Sequence, residues 1–308
     1  MRVGIDIGGT KIAGAMMDAR GRVVAEARRP SPRGDYRGTL AAIADLVSGL
    51  SREAGVAAAC VGVGVPGNVD RAAGTLRLGN AAWLSGAPFR DDLAATLDLP
   101  VRLANDADCF ALSEAVDGAG AGAQSVFGVI LGTGVGGGFV VGGRLNAGPV
   151  GIAGEWGHAP MPRGTAEELA AGPCSCGRHG CIETLLSGPS FRRDHALGCG
   201  IAPDEAPQPE EITAAAAEGD PAAAAALGRY VERLGRALAL LVNVLEPDVI
   251  VLGGGMSNTT ALYAAVPDRM LPHVFGGRCA TRVLRNVHGD SSGVRGAARL
   301  WSEEETPE

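Results

Sequence analysis

Three cysteines, Cys174, Cys176 and Cys181, stand as C-x-C-x4-C on a segment broken by Gly177 and Gly180. Two histidines, His158 and His179, are near enough in sequence to supply a fourth ligand. Three thiolates and one imidazole form the closed tetrahedral set that zinc takes in structural sites, with no position left for a reacting water. Spacing alone does not choose between the histidines. Glu155 and Glu183 bracket the cluster, so a metal here would pin a polar, glycine-rich loop and fix two carboxylates for a ligand. The remaining cysteines, Cys60, Cys109, Cys199 and Cys279, are dispersed and read as small buried or half-buried residues. Seven cysteines without a signal-peptide pattern argue against a cross-linked, secreted chain.

A second candidate is Asp106. Val101–Ala104 reads as a short buried strand, and Asn105-Asp106 follows at its carboxyl end, where open α/β sheets bind their ligands. That position makes Asp106 the leading candidate for a general base. The plainer job is capping the helix expected over 107–115, which Asn105 or Asp108 could do instead.

Glycine turns are the third feature. Val3, Ile5 and Ile7 mark a strand that ends in Gly8-Gly9-Thr10-Lys11, and the next residues, 12–18, are too short and glycine-broken for a helix. Strand joins strand here, which separates the turn from a Walker A loop or a dinucleotide-binding turn, where a helix must follow. The design recurs at Ser125–Leu131, Gly132–Gly138 and Phe139–Val141, an internal duplication that points to two lobes around one nucleotide. A third run, Gly253-Gly254-Gly255-Met256, follows the strand expected at 248–252 and would let the backbone approach adenosine; a plain strand-to-helix turn is the alternative.

Other elements must carry these groups. Apolar periodicity predicts helices over 36–54, 90–97, 209–245 and 293–301, and a strand over 56–65 ending in Pro66-Gly67-Asn68. The GAGAG run at 118–122 reads as a linker. The expected domains are 1–118, completed by a C-terminal helix at 291–303, and 119–290, which carries the cysteine cluster. Length, 46% hydrophobic and 20% charged residues fit a soluble two-domain protein. A net charge of −7 gives no footprint for nucleic acid or anionic membrane. The chain opens directly into a strand, and a cytoplasmic location is expected.

The set DIGGTK, GVPG, NDADCFALSEA, LGTGVGGG, GEWGHAP, CSCGRHGCIE and VLGGGMSN resembles the ROK sugar kinases over essentially the whole chain. NAAWLSGAPF, AGEWGHAPMP and HGDSSGVRGAARLW resemble in particular the bacterial manno(fructo)kinase branch. The resemblance implies an α/β, actin-like ATPase fold of two ribonuclease-H-like lobes with a nucleotide and sugar cleft between them. It also implies a homodimer that uses ATP and Mg²⁺ to phosphorylate the 6-hydroxyl of fructose and mannose. Carried onto this sequence, Asp6 faces the metal-bound phosphates, and Gly8, Gly9, Thr10 and Lys11 form the first phosphate loop. Gly132, Thr133, Gly134 and Gly136 form the second, and Gly253, Gly254, Gly255 and Met256 approach adenosine. Asp106 takes the proton from the sugar hydroxyl. Asn105, Glu155, His158 and Glu183 hold the ring hydroxyls, with Gly67 and Asn80 nearby.

The family places structural Zn²⁺ on His158, Cys174, Cys176 and Cys181, which gives His158 two duties, one nitrogen on the metal and the other toward the sugar. LGTGVGGG is as similar to the loop of the N-acetylglucosamine kinases as to that of the fructokinases. The EWGH form and Trp83 lean away from the N-acetylhexosamine kinases; N-acetylglucosamine kinase and glucokinase are the alternatives. The family also contains DNA-binding repressors. A first phosphate loop that begins by residue 6, and an acidic chain, speak against that class. A catalytically dead sugar sensor would be expected to lose Asp106 or a glycine loop, and neither is lost.

Overall fold

A computed structural model describes residues 1–70, 73–77 and 82–307. Its strands are β1 (Arg2–Ile7), β2 (Lys11–Met17), β3 (Val23–Pro30), β4 (Cys60–Val65), β5 (Asn68–Asp70), β6 (Thr75–Arg77), β7 (Val101–Asn105), β8 (Ser125–Leu131), β9 (Val135–Val141), β10 (Arg144–Leu145), β11 (Val249–Gly253) and β12 (Arg282–Arg285). The α-helices are α1 (Tyr36–Ala54), α2 (Phe89–Leu97), α3 (Asp106–Asp117), α4 (Ala166–Leu169), α5 (Glu183–Leu186), α6 (Gly188–Cys199), α7 (Pro209–Ala217), α8 (Pro221–Leu245), α9 (Ala261–Met270) and α10 (Ser292–Ala298).

The two large sheets run β3-β2-β1-β4-β7 and β10-β9-β8-β11-β12. Counted in chain order, each is 3-2-1-4-5, so the duplication expected from the glycine turns is present in the strand order itself. In the first sheet β1, β2 and β3 are antiparallel neighbours, while β4 and β7 run parallel to β1. In the second, β8, β11 and β12 are parallel. Parallel strands buried on both faces require continuous apolar runs, and β4 and β11 are buried at every position.

The chain divides into two units: Met1–Ala121 with Gly138–Gly154 and His288–Glu308, and Gly122–Gly137 with Glu155–Val287. In the first unit, Val3, Ile5, Val61, Val63, Ile43 and Leu46 form part of one apolar core. Helix α10 lies directly on β1 and β4. A side chain at Gly4 would put its Cβ 1.9 Å from the Val294 carbonyl oxygen, and one at Gly62 would put it 1.8 Å from that of Ala297. Only glycine permits this approach. The same helix is tied to α3, where Asp117 accepts from Arg295, Arg299 and His288, and buried Glu114 accepts from Ser292 Oγ at 2.9 Å.

In the second unit, α8 buries Tyr230, Leu234, Leu238 and Leu241 along one face. Glu168, at the end of α4, is held by this helix. It accepts two hydrogen bonds from Arg236, at 2.7 and 2.9 Å, and one from Arg233 at 2.9 Å. Burial opposes its charge, but those bonds prevail and pull the carboxyl down to about 2. Arg236 also donates to the carbonyls of Pro162 and Arg163, so the segment ahead of the cysteines has an anchor of its own.

Four sequence expectations need correction. The helix expected over 209–245 is two, because Gly219 takes φ +94° and Asp220 caps a new start at Pro221. The strand expected from Val56 begins at Cys60, after a turn that leaves Val56 exposed. The C-terminal helix ends at Ala298 rather than at Trp301. And β9 begins at Val135, so Gly136–Gly138 are strand residues and the turn is only Gly132–Gly134. No helix among the described residues is long and apolar enough to cross a membrane.

Candidate functional site

In the first unit, β1 delivers Asp6 to the glycine turn, whose Gly8 N–H closes on the Lys11 carbonyl at 2.9 Å. Strand β7 delivers Asn105 and Asp106 at its carboxyl end. The side chain of Asn105 does two jobs. Its Oδ1 accepts the Ala107 N–H at 2.8 Å, capping α3, and its Nδ2 donates to the Gly67 carbonyl at 3.0 Å. Asn105 is thus the cap and Asp106 the first helical residue, although the Asp106 Oδ1 shares the same Ala107 N–H at 2.8 Å.

Burial pushes the Asp106 carboxyl up, against the pull of the Ala107 N–H. Burial, then the charge of Asp106, raises Asp6 to about 6, with Lys11 opposing. The structure thus brings Asp6 and Asp106 into one electrostatic neighbourhood. Asn80 lies outside the described residues.

The raised Asp6 has a consequence for stability. Between pH 3.8 and about 6 the folded chain holds a proton on Asp6 that the unfolded chain has released. Its contribution is fully present below 3.8 and is lost as pH rises through about 6. Asp6→Asn is expected to stabilise the nucleotide-free protein at pH 7.5 by on the order of 2 kcal/mol, and to leave it unchanged near pH 3.5. Denaturant melts at the two pH values measure this; a variant less stable than wild type at pH 7.5 would contradict it.

In the second unit, two glycine turns meet. Gly254 takes φ +79°, and a Cβ there would stand 2.5 Å from the Leu131 carbonyl oxygen and 2.9 Å from the Gly132 nitrogen. Parallel pairing of β8 with β11 aligns Ile130 with Gly253 and so places both turns at the same sheet end. Met256, expected to approach adenosine, is 2% exposed. Gly136 sits in β9 with its carbonyl accepting the Trp156 indole N–H at 2.9 Å.

The four expected metal ligands converge as well. His158, Cys174, Cys176 and Cys181 place their ligand atoms within 4.8 Å of one another. His158 Nδ1 is 3.3 Å from Cys174 Sγ, and Cys176 Sγ is 3.7 Å from Cys181 Sγ. Ideal zinc bonds would set sulfur–sulfur edges of about 3.8 Å and sulfur–nitrogen edges of about 3.5 Å, so the donor set fits that ion. Without a cation the crowding is unfavourable: burial, then the neighbouring thiols, pushes Cys181 up to about 12. His179 is exposed and outside the cluster. His158 Nε2, the ring nitrogen turned away from Cys174, lies 3.7 Å from Glu155 Oε2. Glu183 Oε2 accepts the Val135 N–H at 3.0 Å, and its Oε1 is 3.4 Å from Ser175 Oγ.

The ROK family profile matches residues 2–304. The chain belongs to the ROK family. N-acetyl-D-glucosamine kinases of Salmonella heidelberg (strain SL476) and Salmonella typhimurium (strain LT2) are each 40% identical to it over 306 residues, covering 97% of this chain and 99% of theirs. The ROK hexokinase of Thermus thermophilus superposes with a TM-score of 0.85 at 32% identity, covering 97% of this chain and 96% of that one. A ROK family glucokinase from Streptomyces griseus, solved with glucose and AMPPNP, gives 0.79 at 30%, with 97% and 98% covered. This ROK protein is an ATP-dependent sugar kinase with the actin-like two-lobe fold.

The relatives from Salmonella are N-acetylglucosamine kinases, the class from which the EWGH form and Trp83 lean away, and the side chains show what those two residues do. The indole of Trp83 donates to Thr39 Oγ1 at 3.1 Å, and Trp83 packs against the first unit's core. The ring of Trp156 meets Phe127 edge-on while its N–H is committed to Gly136. Both signals report packing. Trp156 was itself overlooked among the site residues, although its place between Glu155 and His158 was visible.

Proposed function

We propose that this ROK kinase transfers the γ-phosphoryl group of ATP to the 6-hydroxyl of N-acetyl-D-glucosamine, with Asp106 as general base. The carrying observation is the 40% identity, over 97% of the chain, to enzymes of that name. ATP, bound with Mg²⁺, supplies the phosphoryl group. Gly8, Gly9, Thr10 and Lys11, the turn at Gly132–Gly134 and the turn at Gly253–Gly255 hold the nucleotide, and Asp6 faces its metal. Asp106, whose burial raises its affinity for a proton, takes the one released from the sugar hydroxyl. Asn105, Glu155, His158 and Glu183 orient the ring. Phosphoryl transfer needs chiefly such positioning and charge stabilisation from a protein.

Zinc on the three cysteines and His158 is structural in this scheme, since four protein ligands leave no open position. Fructose, with mannose, is the second reading, favoured by the NAAWLSGAPF and HGDSSGVRGAARLW segments. Steady-state kcat/KM for N-acetylglucosamine, fructose, mannose and glucose decides between them. N-acetylglucosamine is expected to lead by at least about tenfold, roughly what one or two well-placed contacts discriminate. A lead for fructose would transfer the assignment to it, and no phosphorylated product from any of the four would overturn both.

A further inference from the structure

The metal-ligating segment grips the Gly134–Gly136 strand start from two sides, all within the second unit. On the side preceding the first ligand, Trp156 is 6% exposed and donates to the Gly136 carbonyl at 2.9 Å. Gly157 then lies backbone against backbone on Val135, where a Cβ would fall 2.0 Å from the Val135 carbonyl oxygen. On the side following the last ligand, Glu183 accepts the Val135 N–H. The Gly132–Gly134 turn feeds straight into these residues, with its Gly132 N–H closed on the Gly134 carbonyl at 3.0 Å.

We propose that Trp156 is a positioning residue that couples the metal-anchored segment to the glycine-rich nucleotide turn, so that sugar and nucleotide tighten each other's binding. This rests on the kinase reading above. A ligand that orders one of two joined segments orders the other, and the second ligand then meets a turn already fixed. Linkage makes the gain reciprocal. The indole N–H is the contact that can be removed alone, since the ring's packing on Phe127 does not need it.

The test is calorimetric titration of AMPPNP into the zinc-loaded protein, with and without saturating N-acetylglucosamine. Wild type is expected to bind the nucleotide at least about fivefold tighter with sugar present, the lower end of ordinary coupling. Trp156→Phe keeps an aromatic ring but strips the Gly136 carbonyl of its donor. In that variant the ratio should fall at least about threefold, toward one, with sugar affinity alone changed less than about threefold and zinc still bound. An unaltered ratio overturns the proposal. If Trp156→Phe does not fold, a benzothienylalanine at 156, isosteric but lacking the N–H, is judged by the same criterion. Wild-type protein that binds both ligands without coupling overturns this inference alone, whereas protein that binds none of the four sugars overturns the kinase reading.

Discussion

Asp106→Asn is expected to lower kcat by about 10²–10⁴-fold, the usual worth of a positioned general base, with KM for sugar and ATP changed far less. The expectation is unusually clean because the substitution leaves the local fold its supports. Asn105, not Asp106, caps α3 and reaches the Gly67 carbonyl. The far end of the helix is fixed to α10 through Glu114 and Asp117. Burial disfavours the Asp106 charge, so a neutral amide costs the folded state nothing electrostatically. Single-turnover rates and a melting curve measured on one preparation settle it. Unchanged turnover removes Asp106 from the role, and a lost rate accompanied by a collapsed melting transition would show a structural part instead.

Loss of the metal should have the next largest effect. Cys181 is 1% exposed and closes the ligand set, so Cys181→Ser is expected to cut bound zinc from one ion per chain to below about a tenth. KM for sugar should rise at least about tenfold, because His158 and its neighbour Glu155 lose their fixed orientation, with kcat less affected. The second unit itself should stay folded. Arg236 and Arg233 hold Glu168, and the capping box of Thr165 and Glu168 closes α4, without any metal. Elemental analysis and steady-state kinetics check both parts. Purified wild type that carries no zinc would contradict the first, and a zinc-free variant with normal sugar KM the second.

Much of this was legible as pattern. Alternating Val3, Ile5 and Ile7 before two glycines and a second short apolar run can only be a hairpin. The cysteine spacing announced a metal set, though choosing His158 over His179 took the family resemblance, and the fold agrees by bringing Pro160 beside Cys181. What misled was composition standing in for environment. Gly136–Gly138 look like loop residues, yet β9 needs glycine there: a Cβ at Gly137 would stand 2.6 Å from the Phe127 ring. The break at Gly219-Asp220-Pro221 was a visible cap, hidden by the alanine runs on either side.

The sugar was the least legible of all. An acetamido group and a hydroxyl are told apart by a few hydrogen bonds whose geometry no string of letters carries. The two tryptophans taken as hints are engaged elsewhere, one on Thr39 and one on Gly136.

The most direct test of the whole account is the identity of its product. Wild-type protein incubated with ATP, Mg²⁺ and N-acetylglucosamine should yield one ADP per phosphosugar, with phosphorus-31 coupling to the two C6 protons in the NMR spectrum. A phosphate on the anomeric oxygen, or ADP released with no phosphosugar formed, would contradict it.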